Sequence, residues 1–203
     1  MIPAPHNSAG RPRTSSRSVL EDAAAELFLE NTYQATTIDQ IAQRAGVSRN
    51  TFFNYFGAKS DLLWVEVDAG IDRLAEELET VPPGETALPA LCAAVLRVTG
   101  EFGVDRVPLA LTQGELMGIG EEIRASGLLR LSRRAEVIAA FLSRQARLDR
   151  RSLAVLAAAN AISGAITAAW EVWALDGIGR APLSRYAGEA FDLVAMGIKR
   201  SLG

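Results

Sequence analysis

The sequence is poor in the residues from which metal centres and hydrolytic sites are built. Its 203 residues include one cysteine, Cys92, and one histidine, His6. A single cysteine excludes an intramolecular disulfide and a cysteine-based zinc site, and a single histidine excludes a histidine-rich metal centre. Because His6 lies in a polar N-terminal tail, a catalytic triad is not expected either. We therefore predict no metal, no cofactor and no enzymatic activity. An enzyme in an all-helical fold stays as an alternative.

Basic charge is also scarce. The chain has 21 lysines and arginines against 24 aspartates and glutamates, a formal net charge of −3. This balance excludes a uniformly basic coat for nucleic acid, but it allows a local basic patch. Residues 1–20 hold Arg11, Arg13 and Arg17 and no acidic residue. From Thr37 to Lys59 three basic residues stand against one acidic residue, whereas the residues after Trp64 hold 15 basic and 18 acidic ones.

Neither a secretory signal nor a convincing membrane segment is visible. Residues 1–20 contain no apolar core of a signal peptide, which predicts a cytoplasmic protein. The stretch from Ser152 to Trp170 has no charged residue and is nearly long enough to span a bilayer. It is rich in alanine, however, and contains Asn160, Ser163 and Gly164. We predict a buried helix and no membrane contact.

The first third of the chain has the pattern of three helices. Residues 1–14, with three prolines, predict a disordered basic arm. A helix is predicted to begin near Ser18 and to end near Asn31, with its core face at Leu20, Ala24, Leu27 and Phe28. Thr37 and Gln40 have the spacing of a capping box at the start of a second helix, which Gly46 ends. Ser48 is placed to cap a third, short helix, giving a helix-turn-helix pattern.

The remaining residues also have helical periodicity, and no segment alternates as a strand does. From Ser60 a long amphipathic helix is predicted to run towards Glu79. Further helices are predicted near residues 86–103, 106–118, 127–146, 150–175 and 183–201. The expected protein is all-α, with a three-helix unit at 15–62 followed by a larger helical bundle at 63–203.

A specific motif lies between Thr36 and Leu62. It reads T-T-I-x-x-I-A, A-G-V-S, T-x-x-x-Y-F and K-x-x-L, in that order, within about 26 consecutive residues. This segment resembles the DNA-binding domain of the tetracycline-repressor (TetR) family. The run from Thr51 to Phe56, together with Trp64, is similar to the subset of these regulators that is tied to mycofactocin gene clusters.

The resemblance implies which residues contact DNA. The first turn of the third helix is expected to enter the major groove, where Arg49 and Asn50 have donors suited to base edges. Thr37 and Ser48, at two helix starts, are expected to place backbone amides against phosphates. Tyr55 and Lys59 match positions that contact the DNA backbone. The predicted DNA-binding residues are Thr37, Ser48, Arg49, Asn50, Thr51, Phe53, Asn54, Tyr55 and Lys59.

A DNA-binding unit of this size needs two copies for sequence specificity, because one copy recognises only a few base pairs. The resemblance therefore implies a homodimer, formed by the helix from Ser152 and the final helix. Small residues there let helices approach closely. The predicted interface residues are Ala157, Ala161, Gly164, Ala168, Leu193 and Gly197. Packing of both helices inside one chain is the alternative.

In the same interpretation, residues 60–147 and neighbouring helices enclose a mainly apolar ligand pocket. Its predicted lining consists of Phe102, Leu109, Leu116, Met117, Phe141, Trp170 and Trp173. Trp64 is expected to pack between the DNA-binding unit and the long helix. We predict a dimeric repressor of duplex operator DNA, released by a small apolar or amphipathic effector, of which an acyl thioester is one candidate. An α-helical adaptor that binds only protein is the alternative.

Overall fold

The structure, a computed structural model, describes residues 16–103, 108, 111, 120–177 and 179–202. In these residues every regular element is a helix and no strand occurs, which confirms the all-α prediction. The predicted arm at 1–14 lies outside the described residues, as does nearly all of the predicted helix at 106–118. The chain divides between Leu62 and Leu63 into two compact units.

Three helices make up the N-terminal unit: α1 (Ser16–Asn31), α2 (Ile38–Arg44) and α3 (Arg49–Phe53). The predicted core of α1 is confirmed, since its four predicted apolar residues are all buried. The helix begins earlier than the predicted start near Ser18, because it already includes Ser16. Glu21 pairs with Arg17, 2.9 Å away on the same helix face.

Both short helices begin as their sequences predict. Thr37 and Gln40 form a complete capping box, in which the Gln40 amide donates to Thr37 Oγ1 over 3.2 Å and Thr37 N donates to Gln40 Oε1 over 2.8 Å. Ser48 Oγ accepts the Thr51 amide over 3.1 Å at the start of α3. Gly46, with φ of 68°, supplies the left-handed turn between the two helices.

The predicted long helix from Ser60 does not begin there. Residues Lys59–Leu63 form a 3₁₀ turn, and α4 spans Val65–Thr80. The turn is held by Asp61, whose Oδ2 accepts the Ala58 amide over 2.9 Å. Trp64, with φ of −121°, separates the turn from the helix. Amphipathic spacing extended across this break, so it could not reveal the change of helix type.

The C-terminal unit contains α4, α5 (Ala87–Gly100), α6 (Gly120–Ala146), α7 (Leu153–Leu175) and α8 (Leu183–Leu202). The start predicted for α6 at residue 127 is wrong, because the helix continues through Gly127 from Gly120. A Cβ at Gly127 would lie 3.3 Å from Trp64 Cη2, so the glycine is there to admit the indole ring.

Helix α7 packs between α6 and α8. Ser152 caps it, accepting the Val155 amide over 3.4 Å. By length and composition it is the one helix among the described residues that could cross a membrane, and 44% of its most apolar window is buried within the chain. The prediction of a buried helix therefore holds for one face of α7, while the other face is exposed in the single chain.

Candidate nucleic-acid interface and ligand cavity

Helix α3 presents a polar face above a buried aromatic base. Phe52 is fully buried, and its ring lies 5.5 Å from that of Phe56, centroid to centroid. The side chains predicted to read DNA point the other way. The exposed ones are Thr37, Ser48, Arg49, Asn50, Phe53, Asn54 and Tyr55, while Thr51 and Lys59 are half-buried. Helix α3 and the two residues that follow it therefore expose a guanidinium, two amides and two aromatic rings.

Arg49 and Asn50 differ in how they are held. Arg49 donates to Asp39 Oδ1 over 2.8 Å, and its guanidinium lies 5.4 Å from the centre of the Phe53 ring. Both partners of the ion pair are exposed, so the pair contributes little to stability and can exchange for a DNA contact. Asn50 makes no side-chain hydrogen bond within the described part of the chain, and its amide is available to a base.

Lys59 has a role that the sequence did not reveal. Its Nζ donates to the backbone carbonyls of Tyr33 and Thr36, each over 2.8 Å, and lies 4.0 Å from the centre of the Tyr33 ring. Thr36 Oγ1 donates to the Thr32 carbonyl over 2.8 Å. Lys59 and Thr36 therefore fix the loop that delivers Thr37 to the start of α2. The predicted contact of Lys59 with the DNA backbone stays a prediction.

Arg44 joins the first two helices by charge. It donates to Glu26 over 3.0 Å and to Glu30 over 2.7 Å, both on α1. The hydrogen bond from Arg44 lowers the pKa of Glu30. This pairing keeps the basic side chain of α2 on α1 and leaves α3 as the polar surface of the unit.

The C-terminal unit contains a cavity of about 300 Å³, within the lower part of the range of small-molecule sites. Apolar side chains dominate its lining. It is lined by Trp64, Val67, Leu111, Ile123, Arg124, Gly127, Leu128, Arg130, Leu131, Arg134, Thr167, Trp170 and Glu171. We call it the wide cavity. Trp64 Nε1 donates to Ser126 Oγ over 2.8 Å, which fixes the indole in this wall.

A second and much smaller space, of about 20 Å³, adjoins it and is called here the narrow cavity. Three residues, Val67, Arg134 and Trp170, line both spaces. The other residues around the narrow cavity are apolar except Thr99: Gly70, Ile71, Leu74, Val95, Val98, Phe102 and Ile166 complete it. Arg134 thus lies between a wide space and a narrow apolar one.

The predicted ligand residues fall into three groups. Phe102 lines the narrow cavity, and Trp170 lines both cavities. Phe141 and Trp173 are buried and are not among the described residues that line either cavity; the Trp173 indole donates to the Ala181 carbonyl over 3.0 Å. Leu109, Leu116 and Met117 lie outside the described residues. Trp64, expected to pack between the DNA-binding unit and the long helix, is a cavity wall residue. Arg134 is not among the predicted ligand-binding residues; its sequence context predicts a surface charge that could receive an anionic group, whereas the structure buries it beside both cavities.

The predicted interface residues on α7 lie on its exposed face. Ala157, Ala161 and Ala168 are exposed, and a Cβ built on Gly164 meets nothing within 4 Å. On α8, Leu193 is exposed, and the surroundings of Gly197 lie outside the description. Large apolar side chains accompany them, with Leu153 85% exposed and Leu193 81% exposed. Both helices therefore leave small and apolar residues uncovered within one chain.

A short helix with a polar outer face, preceded by a tight glycine turn and a capped helix, defines a helix-turn-helix DNA-binding protein. Comparison with known families agrees. Residues 20–64 match the model of bacterial regulatory proteins of the tetR family, and residues 85–199 match the MftR C-terminal domain. The chain therefore belongs to the TetR family and carries a C-terminal domain of the MftR type.

Individual relatives are similar over most of their length. The chain is 26% identical over 197 residues to a Mycobacterium tuberculosis protein named as a mycofactocin biosynthesis transcriptional regulator, MftR, covering 97% of this chain and 98% of that protein. It is 28% identical over 147 residues to the transcriptional regulator TcmR of Streptomyces glaucescens, covering 72% of this chain and 61% of TcmR.

Among solved structures, the chain is similar to FadR of Thermus thermophilus, a TetR family transcriptional repressor in complex with lauroyl-CoA. The TM-score is 0.58 at 25% identity, and the match covers 89% of this chain and 94% of FadR. The protein is a DNA-binding transcriptional regulator rather than an enzyme.

Proposed function

We propose that the protein is a homodimeric repressor that leaves its operator when a mainly apolar acyl compound enters the wide cavity. The observation that carries the proposal is that one chain combines an exposed recognition helix with a separate, largely apolar cavity of about 300 Å³. A DNA-binding module alone has no need of such a space. Working on DNA in a bacterium, the protein acts in the cytoplasm.

The DNA contacts are proposed from the exposed face of α3. Arg49 and Asn50 occupy its first turn, the part of a recognition helix that reaches base edges. Phe53 has no hydroxyl for a phosphate and is proposed to contact a thymine methyl group or a sugar. Tyr55 is exposed beyond the end of the helix and is proposed to contact the backbone.

The dimer is proposed from the uncovered faces of α7 and α8. Exposed leucines and a methionine lie there with small residues, and Met196 is 75% exposed. Burying such a face against a second copy removes apolar surface from water, which stabilises association. Two copies then present two α3 helices to successive half-sites of an operator, about 34–36 Å or a multiple apart.

The acyl effector is proposed from the cavity walls and from the likeness to Thermus thermophilus FadR, whose structure contains lauroyl-CoA. Trp64, Val67 and Trp170 offer apolar surface to an acyl chain. Acyl thioesters and the corresponding free acids are therefore the first compounds to test.

Trp64 supports a route from ligand to DNA. It is the N-cap residue of α4 and also a wall of the wide cavity. A ligand that displaces this indole tilts the start of α4, which follows the DNA-binding unit directly in the chain. Release requires that the ligand bind this tilted state more tightly than the operator-competent state.

A gel-shift titration with the DNA flanking the protein's own gene tests the function. We expect a complex whose stoichiometry is two chains per site and which lauroyl-CoA or dodecanoate dissociates. Absence of any DNA complex, with the chain folded and dimeric, would favour the protein-binding adaptor instead.

A further inference from the structure

Arg134, on α6, places a buried positive charge beside the ligand cavities. The residue is only 5% exposed. Its Nε donates to Ser163 Oγ over 3.2 Å, and its Nη2 donates to Thr167 Oγ1 over 2.6 Å. Both acceptors are neutral hydroxyl groups. Among the described residues, no carboxylate forms an ion pair with Arg134, so its charge is hydrogen-bonded but not balanced.

Neighbouring arginines of the same helix are balanced. Arg130, one turn earlier, donates from Nη2 to Asp68 Oδ2 over 2.8 Å. Arg133 pairs with Asp72. Glu171 lines the wide cavity with Arg134 but makes no ion pair with it. Arg130 and Arg133 thus each have an acidic partner. Arg134, which lines both cavities, is buried without one among the described residues.

Burial without a counter-charge is unfavourable for a guanidinium. Loss of water around Arg134 lowers its pKa to about 10. The group nevertheless remains protonated at neutral pH, because that value is still well above 7. A buried, unbalanced charge is strongly destabilising until an anion joins it. An anionic group that arrives with a ligand removes this penalty, and the gain adds to the affinity for that ligand.

The position of Arg134 suits a ligand with two parts. It lines the wide cavity on one side and the narrow cavity on the other, with Val67 and Trp170 beside it on both. Around this charge the walls are largely apolar. An amphipathic molecule can therefore lay its hydrocarbon part against Val67 and Trp170 while its head group meets the guanidinium.

We propose that Arg134 binds the carboxylate of an apolar carboxylic acid, so that the effector class is free acids in preference to their thioesters. The planar guanidinium has donors that match the two oxygens of a carboxylate. The carbonyl at the head of a thioester's acyl chain is neutral and cannot balance the guanidinium, and the negative charges of an acyl-CoA lie on its phosphates, far along the molecule from that carbonyl. This inference rests on the proposed ligand-responsive function and names the class of compound that the same cavity takes.

The test compares three probes of one chain length: dodecanoate, dodecan-1-ol and lauroyl-CoA. Tryptophan fluorescence of the full chain reports their binding, because Trp64 and Trp170 line the wide cavity. The wild-type protein should bind dodecanoate at least tenfold more tightly than dodecan-1-ol. Arg134→Gln should remove this preference by weakening dodecanoate alone. Arg133→Gln, the same change at the preceding residue, should leave it intact.

If Arg134→Gln does not fold, two measurements replace it: the affinities of Arg134→Lys, and the comparison of dodecanoate with dodecan-1-ol on the wild-type protein. The lysine keeps a charge without the planar fork and should retain part of the preference. Equal wild-type affinities for dodecanoate and dodecan-1-ol would overturn the role of Arg134 while leaving an apolar effector in place. Tight binding of lauroyl-CoA without binding of dodecanoate would overturn the free-acid class and also leave the repressor function standing. Failure of all three probes to bind would contradict both the role of Arg134 and the proposed release by an acyl compound.

Discussion

The ammonium group of Lys59 lies 4.0 Å from the centre of the Tyr33 ring and donates to the Tyr33 carbonyl over 2.8 Å. A second bond reaches the Thr36 carbonyl. Lys59, which opens the K-x-x-L element of the motif, thus holds the loop between α1 and α2, and its partner Tyr33 lies 26 residues earlier in the chain. The Lys59 charge therefore stabilises the loop of the DNA-binding unit, independently of the predicted contact with a phosphate.

Replacing Lys59 with methionine should destabilise the N-terminal unit. The Thr36 carbonyl loses its Lys59 donor, and the Tyr33 carbonyl keeps only the Thr36 amide, 3.2 Å away. Leaving one such group unsatisfied costs about 1–3 kcal/mol. Thermal unfolding followed by circular dichroism measures this loss. Arg97→Met is the control, because Arg97 is an exposed basic residue of the other unit, paired with Glu77.

The same variant tests the predicted phosphate contact of Lys59. If the contact exists, Lys59→Met should weaken binding to all sequences and reduce the slope of log affinity against log salt by about 1. An unchanged melting temperature would contradict the structural role, and an unchanged salt slope would contradict the phosphate contact.

Arg49 and Asn50 should carry sequence discrimination. Alanine at either position should cost about 1–3 kcal/mol on the cognate site and much less on random DNA. Folding should be unaffected, since Asn50 has no side-chain partner in the described chain and the Arg49 ion pair is exposed. Fluorescence anisotropy on both DNAs measures the difference. Equal losses of affinity on the two DNAs would mean that these side chains contact phosphates and not bases.

Asp39 should restrain DNA binding by holding Arg49. Asp39→Asn removes an acidic charge 2.8 Å from the Arg49 guanidinium and frees that group for DNA. Affinity should rise about two- to fivefold on every sequence, the range expected for one exposed ion pair. Asp72→Asn, the same change at an exposed aspartate of the other unit, is the control. Weaker binding by Asp39→Asn would mean that Asp39 itself contacts a base or orients Arg49 productively.

The local features of the fold were predictable because they depend on neighbours in sequence. The capping box of Thr37 and Gln40, the cap at Ser48 and the turn at Gly46 each need only three or four consecutive residues. All three are confirmed. The exposed face of α3 followed equally from spacing, since one buried phenylalanine at Phe52 fixes the orientation of the whole short helix.

What escaped prediction depends on residues far apart in the chain. The start predicted for α6, at residue 127, is seven residues too late. The helix includes Gly127, which makes room for Trp64, 63 positions earlier, and nothing near Gly127 in the sequence shows this. The charge at Arg134 is special only because no carboxylate of the described residues forms an ion pair with it, a fact that no spacing on α6 contains. Lys59 gave no sign of its bonds to the 33–36 loop for the same reason.

Gly164 should lie in the dimer interface. Because a Cβ there meets nothing within 4 Å in one chain, Gly164→Leu fits the protomer, and leucine favours a helix over glycine by about 0.8–1 kcal/mol. The variant should therefore keep its helical content yet sediment as a monomer. Glu76→Leu, which adds an exposed leucine on α4, should stay dimeric. A dimeric Gly164→Leu protein would move the interface elsewhere.

In the proposed function, operator DNA and the effector each weaken the binding of the other to the same protein. Titrating the protein with dodecanoate and with lauroyl-CoA, in the presence and absence of operator DNA, measures this directly by tryptophan fluorescence. We predict that operator weakens binding of the active ligand about 5- to 150-fold, and that the ligand weakens operator binding by the same factor, as linkage requires. Ligand affinities that are identical with and without operator would contradict the account.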